Sequence, residues 1–244
     1  MNSLSLYADM IRYVRRPRFI ERRMKLTPNE AAAVLGLICL TFLTLIPISL
    51  IQALIFGLTG INLPEPSDAF EALSDSPRFV LIAVVFAPLI EEVLFRSWLG
   101  FRRGVLLILP ALLLLLTGLG LTSEAHPSVL TQLIVVIAFA ATALYGWKWY
   151  VLKPDVEDQS RVLHHVFPLI FWGTALLFGA MHAANFAPGF PIWAMPVVVL
   201  PLIFVGVVFG FIRMRFGFLI GILFHSGYNA LVVTISSLLM FAAG

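Results

Sequence analysis

The chain has 244 residues, of which 60% are hydrophobic and only 12% are charged, with a net charge of +3 and a mean hydropathy of +0.99. This composition excludes a soluble globular protein and predicts an all-α, polytopic transmembrane helical bundle. The length leaves room for about seven spans (six to eight) of about 20 residues each and for no sizeable soluble domain. The single cysteine, Cys39, excludes an intramolecular disulfide and a cysteine metal cluster.

Hydrophobic runs and the residues that interrupt them predict two regions, a basic cytoplasmic segment at 1–26 and a transmembrane domain at 27–244. The N-terminal segment carries apolar residues at helical spacing amid arginines, which predicts a helix lying on anionic lipid: Tyr7, Met10, Ile11 and Val14. The first span opens with the capping-box pattern Thr27-Pro28-Asn29-Glu30. The predicted spans run over residues 28–58, 78–98, 104–121, 128–150, 162–184, 195–212 and 216–241.

Positive residues set the orientation of these spans, because short loops rich in Lys and Arg stay on the cytoplasmic side. Seven of the 16 Lys and Arg residues precede the first span, and others follow the second, fourth and sixth spans. We therefore expect an integral protein of the cell (plasma or inner) membrane with a cytoplasmic N-terminus. The positive charge then reflects topology and lipid contact, and no nucleic-acid partner is expected.

The second span contains two carboxylates and a guanidinium in the stretch PLIEEVLFR. Ionisable groups inside spans normally face a protein interior or a wet cavity and mark function. Residues four apart share a helix face, so we expect Glu92 to pair with Arg96 while Glu91 points about 100° away. Pro88 removes a backbone hydrogen bond and should expose the Val84 carbonyl.

Polar residues also occur in the later spans, with His182 near the end of the fifth and with His225 and Asn229 in the seventh. Small residues share the rows of these helices and predict close helix–helix approach. These glycines are Gly206 and Gly210 in the sixth span and Gly217 and Gly221 at the start of the seventh.

Three motifs lie in order along the chain: Glu91-Glu92-Val-Leu-Phe-Arg96, Phe178-Gly-Ala-Met-His182 and His225-Ser-Gly-Tyr-Asn229. Together they resemble the CPBP intramembrane proteases, which include the type II CAAX prenyl endopeptidases and the bacteriocin-immunity and lysostaphin-resistance proteins. The resemblance covers a motif core of about residues 76–235. It implies an endopeptidase in which Glu91 and His182 activate water, while His225 and Asn229 stabilise the oxyanion.

One feature departs from the family pattern, since residues 104–150 insert two apolar segments between the first and second motifs. The predicted topology then places Glu91 in the cytoplasmic half of its span and His182 toward the far end of its own. Either Pro168 delays the fifth helix, or the third and fourth segments are not both full spans.

The chemistry of amide hydrolysis needs a base, an acid and oxyanion donors, and Glu91, turned away from Arg96, is the better base. Glu92 and Arg96 would support the site. Two histidines and a glutamate could hold zinc, but no H-E-x-x-H motif occurs, so we expect no cofactor. The expected substrate is a membrane-associated peptide or protein, prenylated or not. Two alternatives stay open, a proton-coupled transporter and a non-catalytic immunity or binding protein.

Overall fold

The computed structural model describes residues 2–20, 26–74, 76–96, 99, 156–187 and 189–243. The chain divides into two compact units, Met1–Arg96 with Val166–Gly244 and Ser97–His165. The packing described below is that of the first unit. The predicted third and fourth spans, at 104–121 and 128–150, lie outside the described residues.

The described residues form helices and no strand, apart from an isolated bridge between Pro66 and Phe186. The predicted all-α class is therefore confirmed for this part of the chain. The α-helices are α1 (Ser3–Arg15), α2 (Pro28–Thr59), α3 (Asp68–Ser74), α4 (Phe79–Leu81), α5 (Ala87–Glu91), α6 (Val156–Met181), α7 (Met195–Val198), α8 (Leu200–Phe216) and α9 (Phe218–Ala243). The described residues also include the π-helical turns Ile82–Phe86 and Glu92–Arg96 and the 3₁₀ turn His182–Asn185.

Three helical stretches in the described residues are long and apolar enough to cross a membrane: Pro28–Thr59, His165–Asn185 and Phe218–Leu238. They correspond to the first, fifth and seventh predicted spans. The second predicted span is helical over Phe79–Arg96 but alternates between α and π turns, and α8, the sixth, has 17 residues. The chain is an integral membrane protein built as a helical bundle.

The start of α2 follows the predicted capping box. The Thr27 hydroxyl accepts a hydrogen bond from the Glu30 backbone at 3.3 Å, and Glu30 Oε2 accepts one from the Thr27 backbone at 2.9 Å. Pro28 occupies the first turn, where its missing N–H leaves no bond unmade. The helix ends at Thr59, and the following residue, Gly60, adopts the left-handed conformation that glycine tolerates best (φ 67°).

The N-terminal helix forms as predicted, but Met10, one of the residues predicted to face lipid, is instead buried against protein. Leu6, Met10 and Tyr13 are buried where α1 packs on α2 and α8, whereas Tyr7 is only partly buried and bonds the Thr44 hydroxyl at 2.8 Å. The sequence pattern identified the helix but could not tell which apolar residues face protein. Contact of α1 with anionic lipid remains a prediction.

Helices α6 and α8 pack closely because glycine occupies the contact. A Cβ at Gly206 would lie 3.0 Å from Phe178 Cδ1 and 3.2 Å from the Ala175 carbonyl, and one at Gly210 would lie 2.9 Å from Phe171. The predicted role of these two glycines is thus confirmed, and α6 is the helix that approaches. This close packing places the end of α6 next to the polar residues of the second span.

Candidate active site

The first π-helical turn, Ile82–Phe86, explains the position of Asn229. The Ala87 N–H donates to the Ile82 carbonyl, five residues back, so the next bond in this register would join residue 88 to Ala83. Pro88 has no N–H to donate, and the Asn229 side chain donates to the Ala83 carbonyl instead, at 2.8 Å. In this π register Pro88 leaves the Ala83 carbonyl without a backbone donor, whereas an α register would have left the predicted Val84 carbonyl.

The second π-helical turn, Glu92–Arg96, contains the predicted ion pair. Arg96 Nε lies 3.7 Å from Glu92 Oε1, and the two side chains are 1% and 0% exposed. The Arg96 guanidinium also donates to the Gly206 carbonyl at 3.3 Å and lies 4.1 Å from the centre of the Phe178 ring. Three helices, α6, α8 and the second span, thus enclose this charge.

The imidazole of His225 lies between the two carboxylates. Its Nδ1 is 3.2 Å from Glu92 Oε1 and its Nε2 is 3.5 Å from Glu91 Oε2. As predicted, Glu91 makes no ion pair with Arg96 within the described residues, and its side chain is 14% exposed. Glu91 is consequently the accessible carboxylate, while Glu92 and His225 are buried.

His182 opens the 3₁₀ turn that follows α6, and its Nδ1 lies 2.7 Å from the Phe178 carbonyl. A carbonyl only accepts, so Nδ1 carries the proton and Nε2 keeps its lone pair in the neutral ring. Within the described residues no hydrogen bond or ion pair joins His182 to Glu91. The Phe178 ring instead lies near both imidazoles, with its centre 4.7 Å from that of the His182 ring and 5.9 Å from that of the His225 ring.

These contacts show that the last turn of α6 lies beside Arg96 and His225. The predicted topology had instead placed Glu91 and His182 toward opposite ends of their spans. Pro168 does not delay α6, because the helix starts at Val156 and continues through the proline to Met181. The other explanation, concerning the two inserted segments, falls on residues outside the described part.

Three contacts in the site were not found by sequence analysis. The Phe209 ring lies 4.0 Å from the His225 ring, and Arg213 Nε donates to the Arg96 carbonyl at 3.2 Å. A Cβ at Gly221 would lie 3.3 Å from Glu92 Oε2, so the glycine admits this carboxylate beside α9. Gly206, Phe209 and Arg213 are spaced to share one face of α8, and this spacing is the sequence feature from which the contacts of Phe209 and Arg213 could have been predicted.

Carboxylate and imidazole groups from three apolar helical segments lie together in one cluster, so the chain is a helical membrane protein with ionisable groups inside its bundle. A family model described as type II CAAX prenyl endopeptidase Rce1-like matches residues 73–231, more than half of the chain. The chain belongs to this Rce1-like family, a CAAX protease-type group of intramembrane endopeptidases that act on peptides or proteins in the membrane. All three motifs fall inside the matched residues. Comparison with curated proteins and with solved structures gave no match.

Proposed function

We propose that the protein is a glutamate-type intramembrane endopeptidase in which Glu91 is the base that activates water. The observation that supports this proposal most directly is the contact of Glu91 Oε2 with His225 Nε2 at 3.5 Å. Of the two carboxylates beside His225, Glu91 is the one that is partly exposed. Glu92, fully buried between Arg96 and His225, has no such access. Its contacts fit a supporting role that fixes the orientation of the imidazole.

His182 is proposed as the partner of Glu91 in positioning the water. The bond from its Nδ1 to the Phe178 carbonyl fixes the tautomer and the plane of the ring. Nε2 is then a neutral acceptor for a water proton. The Phe178 ring against both imidazoles holds this acceptor near the cluster without adding a charge.

His225 and Asn229 are proposed as the oxyanion donors, lying one helical turn apart on α9. The Asn229 amide has two N–H groups, and its bond to the Ala83 carbonyl uses one of them and fixes the other. His225 takes this role as an imidazolium, which donates from Nδ1 to Glu92 and keeps its Nε2–H, on the side of Glu91, for the oxyanion. Donors fixed before the reaction stabilise a developing oxyanion at little reorganisation cost.

The reaction follows from these roles. Glu91 takes a proton from water as the water oxygen bonds to the scissile carbonyl carbon, and the carbonyl oxygen becomes the oxyanion. Collapse of this intermediate breaks the C–N bond, and the proton held by Glu91 passes to the leaving nitrogen. Each proton is accounted for within the cluster.

A resident metal is not part of the proposal. The two carboxylates approach opposite nitrogens of His225, which suits proton transfer along the ring better than joint ligation of one ion. A zinc enzyme would lose activity in a chelator and regain it with added zinc. We expect chelation to leave the rate unchanged.

The decisive experiment uses Glu91→Gln, which keeps the shape and the acceptor oxygen but removes the base. A proteomic comparison of membranes carrying the wild-type chain and this variant should show substrates that are cut only by the wild type. The rate on a substrate peptide should fall by about 10²–10⁴-fold. Comparing the peptide with and without a prenyl group, in the presence and absence of chelator, identifies the substrate class and tests the metal.

The matched control is Glu71→Gln, an exposed acid on α3, which should keep full activity. Full activity in Glu91→Gln would overturn the proposal. Partner binding or protection that survives the loss of Glu91, with no cleavage by the wild type, would instead identify a non-catalytic binding protein.

We also propose a cell-membrane location with a cytoplasmic N-terminus. The support is that Asp9 on α1 contacts Arg215 at the end of α8 at 3.9 Å, so two arginine-rich segments lie at the same end of the bundle. A reporter fused to the N-terminus that is active only in the cytoplasm tests this orientation.

A further inference from the structure

An open cavity of about 570 Å³ lies where α1 meets the end of α8, and the proposed catalytic groups do not line it. Its walls combine guanidinium groups with apolar and aromatic side chains. The lining residues are Asp9, Arg12, Tyr13, Arg16, Pro17, Arg18, Ile20, Phe211 and Arg215.

The chain that follows α1 is held in place at this cavity. The Arg16 N–H donates to the Tyr13 carbonyl at 3.1 Å, and the Tyr13 hydroxyl donates to the Arg18 carbonyl at 2.7 Å. Pro17, between the two arginines, is buried. The backbone that carries Arg16 and Arg18 is thus folded back over the end of the helix.

The charge in the cavity is unbalanced, with four arginines against one aspartate. Asp9 contacts Arg12 at 2.5 Å and Arg215 at 3.9 Å, which leaves Arg16 and Arg18 without a carboxylate partner in the described residues. The Nε of Arg215 is buried and has no hydrogen-bond partner there either. An anion in the cavity would instead reach the exposed part of the Arg215 guanidinium, which Asp9 contacts only at 3.9 Å.

We propose that this cavity binds the phosphate headgroup of an anionic phospholipid. Guanidinium forks bind phosphate oxygens two at a time, and Arg16, Arg18 and Arg215 approach one cavity from two segments. Ile20 and Phe211 form an apolar wall that fits the glycerol and the upper acyl chains of a lipid. Free phosphate would leave this wall uncovered. The lipid would join α1 to α8 at a defined site, independently of the proposed catalysis.

The test measures lipid binding to the full chain in a neutral detergent by native mass spectrometry. Phosphatidylglycerol and phosphatidylcholine with the same acyl chains are the probes. We expect phosphatidylglycerol to bind at least about tenfold more tightly, and the double variant Arg16→Gln/Arg215→Gln to remove that preference. Arg16→Gln alone, at an exposed position, should weaken the binding in part and serves if the double variant does not fold.

The matched control is Arg15→Gln, which removes the same charge from the neighbouring exposed position, because Arg15 does not line the cavity. This variant should bind phosphatidylglycerol like the wild type. Equal losses in Arg15→Gln and Arg16→Gln would mean diffuse attraction to a basic surface and would overturn the site. Displacement of the lipid by millimolar inorganic phosphate would show a free-anion site and would overturn the lipid assignment.

Discussion

The buried pair of Glu92 and Arg96 allows one prediction to be worked from the structure. Their closest charged atoms are 3.7 Å apart, and neither side chain is more than 1% exposed. At this distance the attraction is about 4 kcal/mol for an effective dielectric constant of about 20. Glu92→Gln removes the attraction and leaves the guanidinium buried without its nearest counter-charge. We expect the variant to lose about 3–5 kcal/mol of unfolding free energy.

The second variant, Glu92→Gln/Arg96→Leu, removes both charges. Because desolvation opposes the attraction of a buried pair, the double variant should recover most of the loss and lie within about 1–2 kcal/mol of the wild type. The side-chain oxygen of the introduced glutamine can still accept the bond from His225 Nδ1, so this contact is common to both variants.

The assay is reversible unfolding in mixed micelles, with the coupling energy taken from the double-mutant cycle of Glu92→Gln, Arg96→Leu and their combination. The exposed Glu71→Gln should change the unfolding free energy by less than about 0.5 kcal/mol. A coupling energy below about 0.5 kcal/mol between positions 92 and 96 would refute the reasoning, because the pair would then be solvated or already neutral.

Two further predictions concern the packing around the site. Gly206→Ala should destabilise the protein by about 1–3 kcal/mol, because its Cβ would meet Phe178 and a backbone carbonyl of α6. Gly57→Ala, with open space around its Cβ, should instead raise the unfolding free energy by up to about 1 kcal/mol. Equal shifts of the thermal unfolding temperature in the two variants would contradict this packing. Asn229→Ala should lower the unfolding free energy by about 1–3 kcal/mol, because it leaves the Ala83 carbonyl without a partner. Adding Pro88→Ala should restore much of this stability, because the alanine supplies a backbone N–H. Purely additive effects of the two substitutions in thermal unfolding would contradict the idea that the Asn229 amide replaces the missing N–H.

The sequence by itself determined the class of protein and the approximate positions of the long helices in the described residues, because both depend on local properties. Neighbouring residues determine three of these features: the apolar runs of span length, the capping box at Thr27 and the rows of glycine on single helices. Three ordered motifs likewise predicted the candidate site residues Glu91, His182, His225 and Asn229. Their catalytic roles stay a proposal.

The tertiary structure alone decided how these residues meet. Whether Pro88 exposes the carbonyl of Val84 or Ala83 depends on the register of the turn, and the π register leaves the Ala83 carbonyl to the amide of Asn229 on another helix. In the same way, His225 lies between two carboxylates, and Gly221 leaves room for Glu92 beside α9. Such contacts join residues far apart in the chain, 146 positions for Asn229 and Ala83 and 133 for His225 and Glu92, and periodicity within one helix carries no information about them.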